Sequence, residues 1–246
     1  MKPAMTPQQA ELSDPEKSVL NKYRRLAVGN ASWPAFFYYE VCTTFVSGLS
    51  GMAGFGLRRL LYPALFARSG GKSAFGRGVL IRRPRQISIG CNCLFDDYSA
   101  LDVREDDASL LIGDHVSVGR FTTIAAKGGH IHLADGANIG SYCRVATQTR
   151  VEIGRSVLIA AYTYIGPGNH QSADGQVPMI AREMEKKGGV RIGDHAWLGS
   201  HVTVLDGVTI GEGAVVGAHS LVLDDIPAGM VAVGCPARVI RPVAAA

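Results

Sequence analysis

A period of six residues constrains this chain more than any other feature. Every sixth residue from Ile192 is aliphatic: Ile192, Leu198, Val204, Ile210, Val216 and Val222. The same step joins Ile112, Val118 and Ile124, then Leu133, Ile139 and Val145, then Ile153, Ile159 and Ile165. The following residue is usually glycine, as at Gly113, Gly119, Gly140, Gly193, Gly199 and Gly217. Four residues after the aliphatic comes a second small or β-branched residue, among them Val116, Thr122, Thr163, Val202 and Ser220. Such a unit makes one short strand and one corner, and three units close a triangular coil of about 18 residues. Coils stack at the inter-strand spacing of about 4.8 Å, each burying the apolar edge its neighbour exposes. The interior is narrow, takes Ile, Leu and Val in ladders and leaves little room for rings.

Composition fits this reading and excludes others. The 246 residues are 47% hydrophobic, too apolar for a disordered chain. The 30 glycines, far from one third of the chain, exclude a collagen and divide into corner residues of the repeat and a separate cluster in the apolar N-terminal segment. A net charge of +4 is too mild to argue for nucleic acid. Five cysteines without framework spacing point to a reducing compartment rather than a disulfide scaffold.

The chain divides into a polar segment over 1–25, an apolar and basic segment over 26–75, the repeat over 76–240 and a tail over 241–246. Between Val41 and Phe95 there is no Asp or Glu, while Arg58, Arg59, Arg68, Lys72, Arg77, Arg82, Arg83 and Arg85 supply eight cations. A partly helical apolar segment followed by a basic stretch suits the cytoplasmic face of an anionic membrane. A spanning helix is poorly supported, because Gly48, Gly51, Gly54 and Gly56 dilute the uncharged run. The alternative is a helical collar packed against the repeat.

After Ile165 the period stops and resumes at Ile192, 27 residues later. A long excursion from a strict solenoid is usually functional. This loop, 166–191, opens with Gly166-Pro167-Gly168-Asn169-His170. Of seven histidines, His115, His195, His201 and His219 fall three residues after an inward aliphatic, where corners favour left-handed backbone. His130 and His132 have no evident role. His170 alone is off the repeat and at the foot of the loop. His201 and His219, 18 residues apart, stack on neighbouring coils. A metal pair there is conceivable, but a zinc site needs a third imidazole that the spacing does not supply.

The repeat resembles the [Ile/Leu/Val]-Gly-x-x-[Ser/Thr/Ala/Val]-x hexapeptide of the left-handed parallel β-helix acyltransferases. Several blocks resemble the galactoside and maltose O-acetyltransferase branch. Val157-Leu158-Ile159-Ala160 leads to His170; then come Trp197-Leu198-Gly199-Ser200, Asp225-Ile226-Pro227 and the closing Gly234-Cys235-Pro236-Ala237-Arg238-Val239-Ile240-Arg241. The resemblance implies an all-β left-handed β-helix with a helical N-terminal segment. It implies an acetyl-CoA-dependent O-acetyltransferase acting on a sugar hydroxyl, with His170 as general base and no metal. The backbone N–H of Ser200 would stabilise the oxyanion. Trp197, Gly199, Ser200 and Ala218 would line the CoA groove, and Arg238 and Arg241 would meet its phosphates. Tyr142 stands where some relatives carry an acceptor-binding Asn, and Asn169 is a second acceptor candidate.

Two departures matter. Many relatives have Thr-Lys before Asp-Ile-Pro, where this chain has Leu223-Asp224, so phosphate contacts rest on the arginines. Tyr142 in place of Asn means that acceptor identity does not carry over. The implied partners are two further copies in a homotrimer with sites between subunits, a sugar or lipid-linked glycan of surface polysaccharide biosynthesis, and a membrane surface; no nucleic acid is implied. Alternatives on the same fold are a γ-carbonic-anhydrase-like metalloenzyme and a nucleotide-sugar N-acetyltransferase, and a further one is a scaffolding solenoid without activity.

Overall fold

The computed structural model describes residues 7–167, 182 and 184–244. Their strands form three parallel sheets that wind round one another as a three-sided β-helix. Sheet 1 begins at Arg68–Ser69 and sheet 2 at Ala74–Phe75, and sheet 3 begins at Leu80–Arg82, so one coil takes one strand from each. Sheets 1 and 3 each hold seven strands, giving seven coils. The pairing Arg68↔Ser88 shows the coil running before residue 76, although the hexapeptide pattern there is too irregular to read.

The inward positions are those the period marks. Ile124, Val145, Ile165, Val204 and Val222 form one ladder in sheet 3, each with no exposed surface. Each ladder position gains apolar burial from the coils above and below, so the repeat stabilises only as a stack. The expectation that the interior leaves little room for rings fails at the base of the solenoid. Phe75 and Phe95, on the first two coils, are fully buried and stack at 5.2 Å, with Phe66 stacked on Phe75 at 5.6 Å. Successive coils repeat at about the stacking distance of two rings, so rings placed in one ladder fit where single ones would leave gaps.

The corner glycines have a different cause from the one the pattern suggests. Gly119, Gly140 and Gly199 do not have positive φ. A Cβ on Gly199 would lie 2.6 Å from the backbone N of Ala218 on the next coil, and one on Gly119 2.6 Å from Ser141 N. The left-handed residue stands two positions further on: His115, Tyr142, His195, His201 and His219 all have φ between 57° and 60°. The four corner histidines therefore adopt the conformation expected of them.

The N-terminal segment folds as helices α1 (Pro7–Ser13), α2 (Val19–Val28), α3 (Trp33–Val41) and α4 (Gly51–Leu61), with a π-helical turn at Cys42–Val46 extending α3. Toward the base the first coil presents a row of alternating carbonyls and N–H groups: Gly76 N–H bonds upward to Phe95 O at 2.7 Å, whereas Gly78 N–H and Arg83 N–H turn down to Ser47 O and Ala27 O at 2.9 and 2.8 Å. The helices cap that row. The buried Arg58 guanidinium donates to Phe75 O at 2.9 Å and to Leu49 O at 2.6 Å, and the Tyr39 hydroxyl donates to Ile81 O at 2.8 Å. Burial pushes the Tyr39 phenol well above its ordinary pKa, so it stays a donor. At the other end Met230–Gly234 joins sheet 2 and pairs antiparallel with Ala237–Pro242. No described helix is long and apolar enough to cross a membrane.

Candidate active site

Three corners join the three sheets, and they differ chemically. At the corner between sheets 1 and 2, aspartates of the next coil cap the exposed N–H groups on the second, third and fifth coils. Cys91 N–H donates to Asp114 Oδ1, Asp114 N–H to Asp135 Oδ1 and Arg155 N–H to Asp194 Oδ1, at 2.7, 2.8 and 2.7 Å. At the corner between sheets 2 and 3 only the first coil has such a cap, Arg77 N–H on Asp97 Oδ1. From the fourth coil up, the equivalent residues are Ser141, Ala161, Ser200 and Ala218, whose backbone N–H groups have no acceptor among the described residues. Small residues in place of aspartate leave a column of unsatisfied donors, a setting in which a ligand's oxygen finds a partner.

Trp197, Gly199 and Ser200 lie together on the sixth coil at this corner, and Ala218 directly above on the seventh. Trp197 is half exposed on the outer face of sheet 2. The Ser200 carbonyl is engaged by His219 N–H at 2.9 Å, which holds the corner peptide in place and leaves the Ser200 N–H outward. The close approach of Gly199 to Ala218 leaves no side chain over that N–H.

The same corner carries a feature that motif reading missed. Tyr98, Phe121, Tyr142, Tyr162, His201 and His219 form one continuous stack, with centroids 4.6 to 5.3 Å apart and planes within 18°. Tyr142 is thus one rung of a ladder rather than a single replacement. Its faces are covered by Phe121 and Tyr162, so only its edge and hydroxyl are open to an acceptor. The signal was available: each of these residues is the third after an inward aliphatic or aromatic. The stack also bears on the His201–His219 pair. Imidazole lone pairs lie in the ring plane, and planes 7° from parallel direct them side by side rather than toward one ion. Among the described residues no three His, Cys, Asp or Glu side chains converge.

Arg238 and Arg241 lie on the closing hairpin. Arg238 pairs with Asp224 at 3.1 Å, both largely exposed, and Arg241 donates to Pro242 O. Asp224 thus competes for the arginine expected to meet phosphate, although a solvent-exposed pair holds it only weakly. His170 and Asn169 lie outside the described residues. The excursion leaves the coil after Tyr164–Gly166 and rejoins it at Val190–Ile192, at the corner between sheets 3 and 1. A cavity of about 290 Å³ lies beside its return, lined by Arg150, Lys187, Arg191 and Thr209. Just past the strand Thr123–Ala126 of sheet 3, Lys127 has its pKa lowered by burial and by the neighbouring Arg144 and Arg104.

Comparison with known proteins agrees with this architecture. Residues 189–224 match the bacterial transferase hexapeptide family, six repeats. A Mycobacterium tuberculosis (strain H37Rv) protein named as an acetyltransferase is 40% identical over 134 residues, 54% of this chain and 44% of its own. This chain therefore spans less than half of that relative. An Escherichia coli (strain K12) protein named for lipopolysaccharide biosynthesis O-acetyl transfer is 37% identical over 144 residues, 55% of this chain and 73% of its own. A mutant of AntD, an N-acyltransferase from Bacillus cereus in complex with dTDP and Coenzyme A, superposes with a TM-score of 0.50 at 22% identity, over 82% of this chain and 92% of that one. That likeness is one of fold. With its six-residue period, its three-sheeted coil and its match to most of the Escherichia coli protein, the chain belongs to the hexapeptide-repeat acyltransferases of the left-handed β-helix fold.

Proposed function

We propose that this chain transfers an acetyl group from acetyl-CoA to a sugar hydroxyl, with His170 as general base. The observation that carries the reading is the column of uncapped N–H groups at the corner of Ser200, beside the exposed Trp197. A thioester carbonyl set against that N–H develops negative charge as it is attacked, and a fixed donor stabilises the charge without reorganisation. The sugar hydroxyl is a poor nucleophile at neutral pH, so His170 takes its proton as the oxygen bonds to the carbonyl carbon. Collapse of the tetrahedral intermediate breaks the C–S bond, and the imidazolium returns the proton to the departing CoA thiolate. No enzyme-bound acyl group is needed. The pantetheine arm lies over Gly199 and Ala218, Arg238 and Arg241 meet the phosphates, and Tyr142 and Asn169 face the acceptor.

A homotrimer supports this chemistry. The loop bearing His170 starts at the corner between sheets 3 and 1, whereas Ser200 is at the corner between sheets 2 and 3. One full face of the coil separates them, and a neighbouring copy can present its loop across an intersubunit groove. The acceptor class we favour is a surface polysaccharide or lipid-linked glycan, handled on the cytoplasmic side, in line with the name of the Escherichia coli relative.

The test is turnover of acetyl-CoA with a panel of sugars, followed by thiol release. His170→Ala is expected to reduce kcat by about 10²- to 10⁴-fold with CoA binding retained. Undiminished acetyl transfer by that variant overturns the assignment of the base.

A further inference from the structure

The helical cap uses only one of its two sides. α4 is buried along Gly54 and Arg58 alone, the line that meets the first coil. With successive residues turned by about 100°, the opposite side carries Met52, Gly56, Arg59 and Leu60. Met52 is 92% exposed and Leu60 74%. α3 and its extension likewise bury Phe36, Tyr39 and Cys42 and leave Phe37, Val41 and Phe45 in solvent. A surface helix ordinarily turns polar residues outward. Here the outer side is as apolar as the inner one, which is the mark of an interaction surface.

The cations around this surface identify its partner. Arg59 lies on α4, Arg68 on the first strand of sheet 1, and Lys72 and Arg77 at the two following corners of the first coil. All four are exposed, and none of their side chains forms an ion pair among the described residues. We infer that the base of the solenoid is a membrane-docking surface for anionic lipid. The outer side of α4 and of the extended α3 enters the interface, with Met52, Leu60, Phe37 and Phe45 among the acyl chains. Arg59, Lys72 and Arg77 meet the headgroups. α4 has 11 residues, about 16 Å of helix, and so lies on the bilayer rather than crossing a core of about 30 Å. Charge also favours lipid over a second copy of the chain, because a two-fold contact through this face sets the same unpaired cations against one another.

Docking fixes the height of the candidate active site. Ser200 is on the sixth coil, five inter-coil steps or about 24 Å from the first. An acceptor modified there stands off the bilayer, which suits the outer sugars of a lipid-linked glycan rather than the sugar next to the lipid. This last consequence rests on the acetyl-transfer reading; the docking itself does not.

The test sediments the full chain with vesicles of phosphatidylcholine, alone or mixed with phosphatidylglycerol. The chain is expected to pellet with the anionic vesicles and to leave them at high salt. Met52→Glu with Leu60→Glu alters only exposed side chains, so the circular dichroism and the transfer to a soluble sugar should be unchanged. Its vesicle recovery should fall roughly tenfold or more. Arg59→Glu with Lys72→Glu should remove the preference for phosphatidylglycerol. The inference is overturned if the chain stays in the supernatant with both vesicle types. It is also overturned if the Met52, Leu60 variant leaves vesicle recovery intact and instead splits an oligomer in sedimentation velocity, since a second copy then covers the face. Loss of acetyl transfer with docking intact counts against the proposed function alone.

Discussion

Single residues at the corners decide which side of the solenoid can bind anything. Where the next coil supplies an aspartate, as Asp194 does for Arg155, the corner N–H is spent on the fold. Where it supplies Ala218 above Ser200, the N–H remains for a ligand. Gly199 is needed for space rather than for an unusual φ, because its missing Cβ is the room through which Ala218 approaches. Gly199→Ala should therefore cost about 1 to 3 kcal/mol, the range for forcing atoms into a packed site. It should also lower acetyl-CoA turnover by moving the Ser200 peptide. A thermal melt reads the first effect and a CoA-release assay the second; an unchanged melting temperature would contradict the close approach.

At the level of elements, the helices close what the strands leave open. A parallel coil ends in a row of unpaired N–H and carbonyl groups, a template for pairing with another chain. Arg58 meets two such demands at once, on the first coil through Phe75 O and on the turn ahead of α4 through Leu49 O. It has no carboxylate partner among the described residues, so its charge is held by carbonyl dipoles. Arg58→Leu should destabilise the chain by about 2 to 3 kcal/mol, the cost of leaving buried acceptors without a charged donor. Urea denaturation followed by circular dichroism measures it. The aromatic ladder is the second device at this scale, each ring pair adding about 0.5 to 1.5 kcal/mol along one exposed corner.

For the molecule as a whole, the solenoid has one direction: an apolar, cationic base, an uncapped ligand corner near the far end, and a closing hairpin. Deleting residues 1–60 removes the cap as well as the docking surface. That deletion should produce a chain that self-associates through the bare first coil, seen as rising scattering with concentration at low ionic strength. Point substitutions on α4 are for this reason the better probe of membrane contact. The same geometry gives the excursion at 166–191 its place, since it departs one coil below Ser200 but from a different corner.

The sequence by itself determined the coil, because a six-residue period is a local rule that each unit obeys without reference to the others. It determined the left-handed corners for the same reason: His115 and Tyr142 occupy a fixed step after their inward aliphatic. It also carried the motif around Ser200, since those residues are neighbours in the chain. Only the tertiary structure decided how coils differ from one another. The Phe75–Phe95 pair inside the base, the six-ring stack outside it and the missing aspartates at one corner join residues about 18 to 39 positions apart, wherever loops shift the count. It alone turned an acid-free basic stretch into a surface, because burial of Arg58 and exposure of Met52 depend on which side of α4 meets the first coil. Periodicity specifies what each residue does within its own coil; what it does for its neighbours is set by stacking.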